Sequence, residues 1–167
     1  YAFDSTTIDL CLSVFWWAKF RKKKGGIKVH TLYDIETQIP AFFHITEASV
    51  HDSKVMNEIP YEPGSYYIFD RGYNNFKMLY KNRWQVELFF KWLKQHLKIK
   101  RFWGTTENAV RIQIYAAICT YCLVAIIQHD MQLDRSTYEV LQILSISLTD
   151  KTHLRDLFDK TKFQNDK

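Results

Sequence analysis

The apolar residues of this chain change period near residue 80, and that change limits what it can fold into. Before it they fall in short strand-like runs; after it they recur at helical spacing. Tyr1 to Asp4 is a short apolar run ending in an acid. Ile27 to Asp34 alternates as Ile-Lys-Val-His-Thr-Leu-Tyr-Asp, the period-two pattern of a half-buried strand. Asp34 to Gln38 reads as a turn into a partner strand over Pro40 to Thr46, giving an antiparallel pair. His51 to Ile59 fits a short helix closed by Pro60. Tyr66 to Asp70 is a continuous apolar run, expected of a central buried strand that ends in an acid. Downstream, Lys81 to Ile99 predicts one amphipathic helix. Glu107 to Asp130 predicts a second, long and mostly buried, capped by Thr105 or Thr106. Ser136 to Leu148 and Thr152 to Lys160 complete a helical C-terminal part. Strands followed by helices, with an early hairpin, predict an α/β layer fold with a mixed sheet. The reading is one domain over residues 1–167, strand-rich over 1–80 and helical over 81–167.

Composition agrees with one folded domain. The 167 residues are 47% hydrophobic, enough for a core, and 5 Gly with 3 Pro argue against a disordered or fibrous chain. The net charge of +5 fits a polyanionic partner, and equally a solvated basic surface. Cys11, Cys119 and Cys122 cannot form a complete disulfide set, which points to a reducing compartment. Cys119 and Cys122 form a C-x-x-C, but on an apolar helix with no second pair they read as two small residues one turn apart. Ile112 to Ile127 is interrupted by Gln113, Thr120 and two tyrosines and is too short for a span, so a buried helix and no membrane are expected. The chain opens on a strand-like segment, so no leader is expected; the missing initiator Met suggests a fragment or an excised domain.

Two aspartates sit where strand-like runs end, Asp4 and Asp70. Carboxylates gathered at the edge of an open sheet repel unless a hard cation neutralises them. Aspartate also ends strands for purely structural reasons. The helix from Lys81 adds a third acid. At 100° per residue, Tyr80, Arg83, Glu87, Lys91, Lys94 and Lys98 share one face, within roughly 80°, while Val86, Phe89, Trp92 and Leu93 point the other way. Glu87 is the one acid among seven Lys or Arg between Lys81 and Arg101. It could be an ion-pair partner of Lys91, or a metal ligand among phosphate-gripping cations.

The spacing Tyr80-x-x-Arg83-x-x-x-Glu87, with Lys94 seven residues further on, resembles the Y-R-E-K signature of the insertion-sequence four family of bacterial DDE-type transposases. Phe3-Asp4-Ser5-Thr6, Phe69-Asp70-Arg71-Gly72-Tyr73, the Gly-Gly-Ile-Lys-Val-His-Thr-Leu-Tyr-Asp strand and Phe102-Trp103-Gly104 resemble that family too. So does Asn-Arg-Trp-Gln-Val-Glu-Leu-Phe-Phe-Lys-Trp-Leu-Lys around Glu87. The resemblance covers nearly the whole chain.

It implies a ribonuclease H-like mixed sheet followed by a helical C-terminal part. Asp4, Asp70 and Glu87 would be the catalytic carboxylates, holding two Mg²⁺ or Mn²⁺ ions roughly 4 Å apart. Tyr80, Arg83, Lys91 and Lys94 would grip phosphates, Arg as a fork and Lys as a point charge. The substrate would be double-stranded DNA, as transposon ends and target, bound by a possible homodimer in the bacterial cytoplasm and nucleoid. Lys19, Arg21, Lys22, Lys23, Lys24 and Lys28 follow Trp16-Trp17. They read as backbone contacts to DNA, or as a solubilising loop. His51-Asp52 also resembles a family element, which a helix start explains equally well. Trp103 beside Gly104 reads as core in preference to a base-stacking residue.

One departure stands out. Relatives carry a long, strand-rich insertion between the second Asp and the Glu, together with the fifth core strand; here only 16 residues separate Asp70 from Glu87. A DNA-binding region expected before the first strand is absent as well. The leading expectation is therefore a truncated transposase core with impaired activity. The alternatives are a remnant that only binds DNA, or a ribonuclease H-like nuclease, though the Tyr-Arg-Lys spacing is that of the transposases.

Overall fold

A computed structural model describes residues 1–21, 24–69, 77–96, 101–147, 149 and 151–160, with side chains of the 77–96 helix described from Gln85 to Gln95. Four strands form the sheet: β1 (Ala2–Leu10), β2 (Lys19–Arg21), β3 (Lys24–Asp34) and β4 (Ile39–Glu47). β3 lies between β1, which pairs along its length from Ala2↔Tyr33 to Leu10↔Gly25, and β4, which pairs from Ile27↔Glu47 to Asp34↔Ile39. Short β2 pairs with the start of β3, and all three pairings are antiparallel. Gly25 is dictated by crowding, since a Cβ there would sit 2.9 Å from the Leu10 carbonyl oxygen and 3.1 Å from that of Ala18. The turn after β3 closes as expected: Asp34 Oδ1 accepts from the Glu36 and Thr37 amides, and the Tyr33 hydroxyl donates to the Gln38 carbonyl.

Three strand expectations change. β1 does not stop at Asp4. It runs on through Ser-Thr-Thr-Ile-Asp-Leu, whose β-branched residues favour extension, so Asp4 is the third residue of a nine-residue strand. β3 is not half-solvated: Ile27, Val29, His30, Thr31, Leu32 and Tyr33 are all buried, as in a strand covered on both faces. Tyr66 to Phe69 is not a buried central strand. It contributes one parallel bridge, Ile68 to Ala2, and Tyr66 is 90% exposed.

Helices cover both sheet faces. On one face, α1 (Asp52–Val55) and a 3₁₀ turn (Met56–Glu58) place Val55 and Ile59 against Phe3 and Leu32, with Phe42, Tyr67 and Phe69 around them. The His51 side chain caps α1 by accepting from the Ser53 amide. On the other face lies α2 (Lys77–His96). Its Val86, Phe89, Phe90 and Leu93 are buried, and Phe89 meets Tyr33 of β3 at 5.6 Å between ring centroids. The predicted apolar stripe is therefore the packed one.

α3 spans Glu107–Asp130, the bounds expected from the sequence, and Thr106 Oγ1 accepts from the Ala109 amide at its start. It is less buried than expected, with 33% of its most apolar stretch inside and Ile112 and Leu123 exposed. Among the described residues it is the one helix long and apolar enough to cross a membrane by length and composition. The chain divides into two compact units, Tyr1–Cys119 and Thr120–Lys167. The first contains the sheet, α1 and α2. The second has its own core of Val124, Val140 and Phe158, built with α4 (Thr137–Ile146) and α5 (Leu154–Lys160). A capping box between Ser136 and Glu139 starts α4.

Candidate active site

Period two along β1 puts Asp4 and Thr6 on one face, and Ser5 on the other. Helical spacing along α2 puts Glu87, Phe90, Lys91, Lys94 and Gln95 together. The two elements meet at an open depression of about 410 Å³ lined by those residues and by Asp4, Ser5 and Thr6. Of the residues expected from sequence, the structure brings together Asp4, Glu87, Lys91 and Lys94. Asp70, Lys22 and Lys23 lie outside the described residues. So do the side chains of Tyr80 and Arg83, although both positions belong to α2. Lys24 is exposed at the start of β3.

β1 is braced on both faces at this point. Lys94 Nζ donates to Thr6 Oγ1 at 2.6 Å, tying α2 to the strand two residues from Asp4. On the opposite face Ser5 Oγ donates to Asp52 Oδ1 at 3.0 Å, while the Ser5 amide donates to Asp4 Oδ1 at 2.8 Å. Asp52 also receives Lys28 Nζ at 3.1 Å, and Lys28 donates to the Val50 carbonyl at 2.9 Å. Lys28 is thus an internal strut, which corrects its assignment to a DNA-facing basic run. Burial pushes the Asp52 carboxyl up, but hydrogen bonds from Lys28 and Ser5 outweigh it and leave the group below its ordinary pKa.

His30 completes this polar layer. Its Nε2 bonds Thr46 Oγ1 at 2.9 Å, and its Nδ1 is 3.3 Å from Asp52 Oδ1 without hydrogen-bond geometry. Burial lowers its pKa from 6.5 to about 4 despite the opposing pull of Asp52, so the ring is neutral at pH 7. Lys28 and His30 are the polar positions that made β3 look half-solvated. They are buried among polar partners instead.

Sequence reasoning set Thr6 and Ser5 in the motif around Asp4 and noted Asp52 beside His51, but gave none of the three a role in this arrangement. The first two were legible in principle from strand periodicity next to Asp4; the third needed the tertiary fold. Trp103, expected in the core, is 96% exposed.

Two carboxylates and two lysines line one open depression; carboxylate oxygens are hard donors for divalent cations, and ammonium groups attract phosphate anions. The family described as the transposase DDE domain matches residues 1–77 and 74–123. The chain therefore belongs to the transposase DDE domain family, whose members cleave and transfer nucleic acid.

Its relatives agree. It is 26% identical over 242 residues to y4zB of Sinorhizobium fredii, named as a transposase, an alignment covering 92% of this chain and 67% of that protein. It is 36% identical over 73 residues to a protein of Synechocystis named as a transposase for insertion sequence element IS4SA, covering 44% of this chain and 22% of the relative. A Geobacillus stearothermophilus protein named for the IS5377 element is 51% identical over 45 residues, which cover 27% of this chain and 12% of the relative. No solved structure matches.

Proposed function

We propose that this chain is the catalytic core of a cut-and-paste DNA transposase, with Asp4, Asp70 and Glu87 as its metal-binding carboxylates. The observation that carries the proposal is the meeting of Asp4 and Glu87 at one depression edged by Lys91 and Lys94. The two elements that supply them lie far apart in sequence, and Asp70 follows the segment whose Ile68 bridges to Ala2 beside Asp4. A β4–β3–β1 order with that parallel bridge also supports the ribonuclease H-like reading.

Among the described residues no group of three His, Cys, Asp or Glu side chains could hold a metal ion, and Asp70 lies outside them. The donor set nevertheless fits Mg²⁺ or Mn²⁺: carboxylate oxygens on rigid elements, next to Thr31 across from Asp4, whose buried hydroxyl makes no hydrogen bond among the described residues. Divalent ions held there would activate water or a DNA 3′-hydroxyl and stabilise the leaving oxygen. The protein's part is positioning. Lys91 and Lys94 draw the phosphate to the carboxylates, and Arg83 and Tyr80 on the same helix extend that grip along the backbone. The Lys94–Thr6 bond ties the strand of Asp4 to α2 and the Ser5–Asp52 bond ties it to α1, the kind of positioning whose loss costs orders of magnitude in rate. The DNA is double-stranded, and the setting is the bacterial cytoplasm.

The test is nicking of supercoiled plasmid by the purified chain with Mn²⁺, beside Asp4→Asn and Asp70→Ala. Nicking by the parent alone supports the site. Equal background from all three leaves the second reading, a remnant that only binds DNA, which the short Asp70–Glu87 spacing favours.

A further inference from the structure

We propose that the indoles of Trp16 and Trp103 form a stacking platform for unpaired DNA bases. This site uses none of the residues that line the Asp4–Glu87 depression, and it rests on the reading of the chain as a DNA-acting protein.

Trp103 is 96% exposed and Trp16 73% exposed, which with Tyr66 and Ile146 makes them the most exposed large apolar side chains among the described residues. Leaving two indoles in water forgoes the apolar area that makes tryptophan valuable in a core. Their immediate neighbours, by contrast, pack together. The Phe15 ring meets the Phe102 ring edge-on at 5.8 Å and the Trp17 ring at 6.4 Å, and Trp17 Nε1 donates to the Thr105 carbonyl at 2.8 Å. The residues on both sides of Trp16 are therefore tied to residues on both sides of Trp103. The two indoles stand on joined loops.

The backbone under Trp103 is also fixed. The Gln113 side chain of α3 donates Nε2–H to the Arg101 carbonyl at 2.9 Å, and its Oε1 accepts from the Trp103 amide at 3.1 Å. At Gly104 a Cβ would fall 2.6 Å from Ala109 Cβ, so only glycine lets the loop approach the helix this closely. Trp103 stands on a clamped backbone, so little main-chain freedom remains to be lost on binding.

The surroundings select an anion. Between Asp9 and Asp34 the sequence has six Lys or Arg and no acid, and between Glu87 and Glu107 it has five and no acid. Lys19, Lys24 and Arg101 are exposed within this background. Flat aromatic rings on a cationic surface match bases whose faces are open and whose phosphates follow alongside. In a duplex those faces are stacked on one another, so the platform distinguishes single strands from double strands.

The experiment is fluorescence anisotropy of the chain against a 5′-labelled oligothymidine and against the same strand annealed to its complement, at low salt. Trp16→Ser and Trp103→Ser should each weaken single-strand binding about tenfold, while duplex binding changes less than about twofold. Trp103→Phe, which keeps a ring, should recover most of the loss. Because both side chains are exposed, unchanged circular dichroism melts should accompany each variant. Equal losses on both DNA forms, or no loss on the single strand, overturn the platform and leave the duplex-binding reading standing. A parent chain that binds neither form overturns both. Conversion of a sedimenting dimer to monomer by Trp103→Ser also overturns it, since the indole would then sit between copies of the chain.

Discussion

His30 shows how burial decides a titration here. Its ring is fully buried, and desolvation lowers its pKa from 6.5 to about 4 although Asp52 lies 3.3 Å away. A group with a depressed folded pKa contributes stability that is present above its unfolded value. That stability is lost as pH falls toward the folded value, because only the unfolded chain takes up the proton between them. The window is pH 6.5 to about 4, and the loss across it is at most about 3 kcal/mol. The melting temperature should therefore fall through that range. His30→Gln, which hydrogen-bonds but cannot titrate, should flatten that part of the curve. Asp52, held below its ordinary pKa by Lys28 and Ser5, adds a further loss at the acid end of the same titration. Thr6 tests the other face of β1. Thr6→Val removes the acceptor of Lys94 at nearly constant volume, with a stability cost on the order of 1 kcal/mol. Plasmid nicking should fall much more than stability does, and Thr6→Ser should restore it. Nicking unchanged in Thr6→Val would show that the Lys94–Thr6 bond positions nothing that reacts.

At the scale of elements, helices were legible and strands only in part. The faces of α2 could be read because the 3.6-residue period separates Glu87, Lys91 and Lys94 from Val86, Phe89 and Leu93 without any tertiary knowledge. Phe89→Ala should accordingly cost about 3–5 kcal/mol, since it empties a buried site against Tyr33, and should lower the urea midpoint. Strand limits depend on pairing partners. β1 continued past Asp4 because Leu10 pairs with Gly25, a relation no local pattern encodes. The alternation of β3 was misleading because Lys28 and His30 meet Asp52 and Thr46 rather than water. The apolar run at Tyr66 lacks a second neighbour among the described residues and stays a single bridge, and the apolar run of α3 left Ile112 and Leu123 outside. The hairpin of β2 and β3 supplies a prediction of its own. Lys22 and Lys23 follow Arg21 in the sequence and Lys24 begins β3; replacing all three with Gln should flatten the salt dependence of DNA binding, by about 0.9 in log–log slope for each phosphate no longer neutralised. An unchanged slope in a gel-shift titration would make the basic run a solubilising loop.

For the molecule as a whole, the site and its setting are unequal. The alignment with y4zB runs over 242 residues although this chain has 167, so the relative carries a stretch without a counterpart here. The family match breaks into two pieces that overlap at residues 74–77, between Asp70 and Glu87. Phosphoryl transfer asks little of a protein: carboxylates, cations and correct placement. Transposition asks more, since two ends must be gripped, paired and cut in order before a 3′-hydroxyl attacks a second duplex. The expectation is a separation of steps. With Mn²⁺ and a supercoiled plasmid carrying the element's ends, the chain should yield nicked circles and no product in which an end is joined to target DNA. Mixing in Asp4→Asn protein, which alters a carboxylate and not end capture, should not change the absence of joints. Any joined product from this chain alone would show that the residues present suffice for strand transfer, and that the shortened Asp70–Glu87 segment is no obstacle to it.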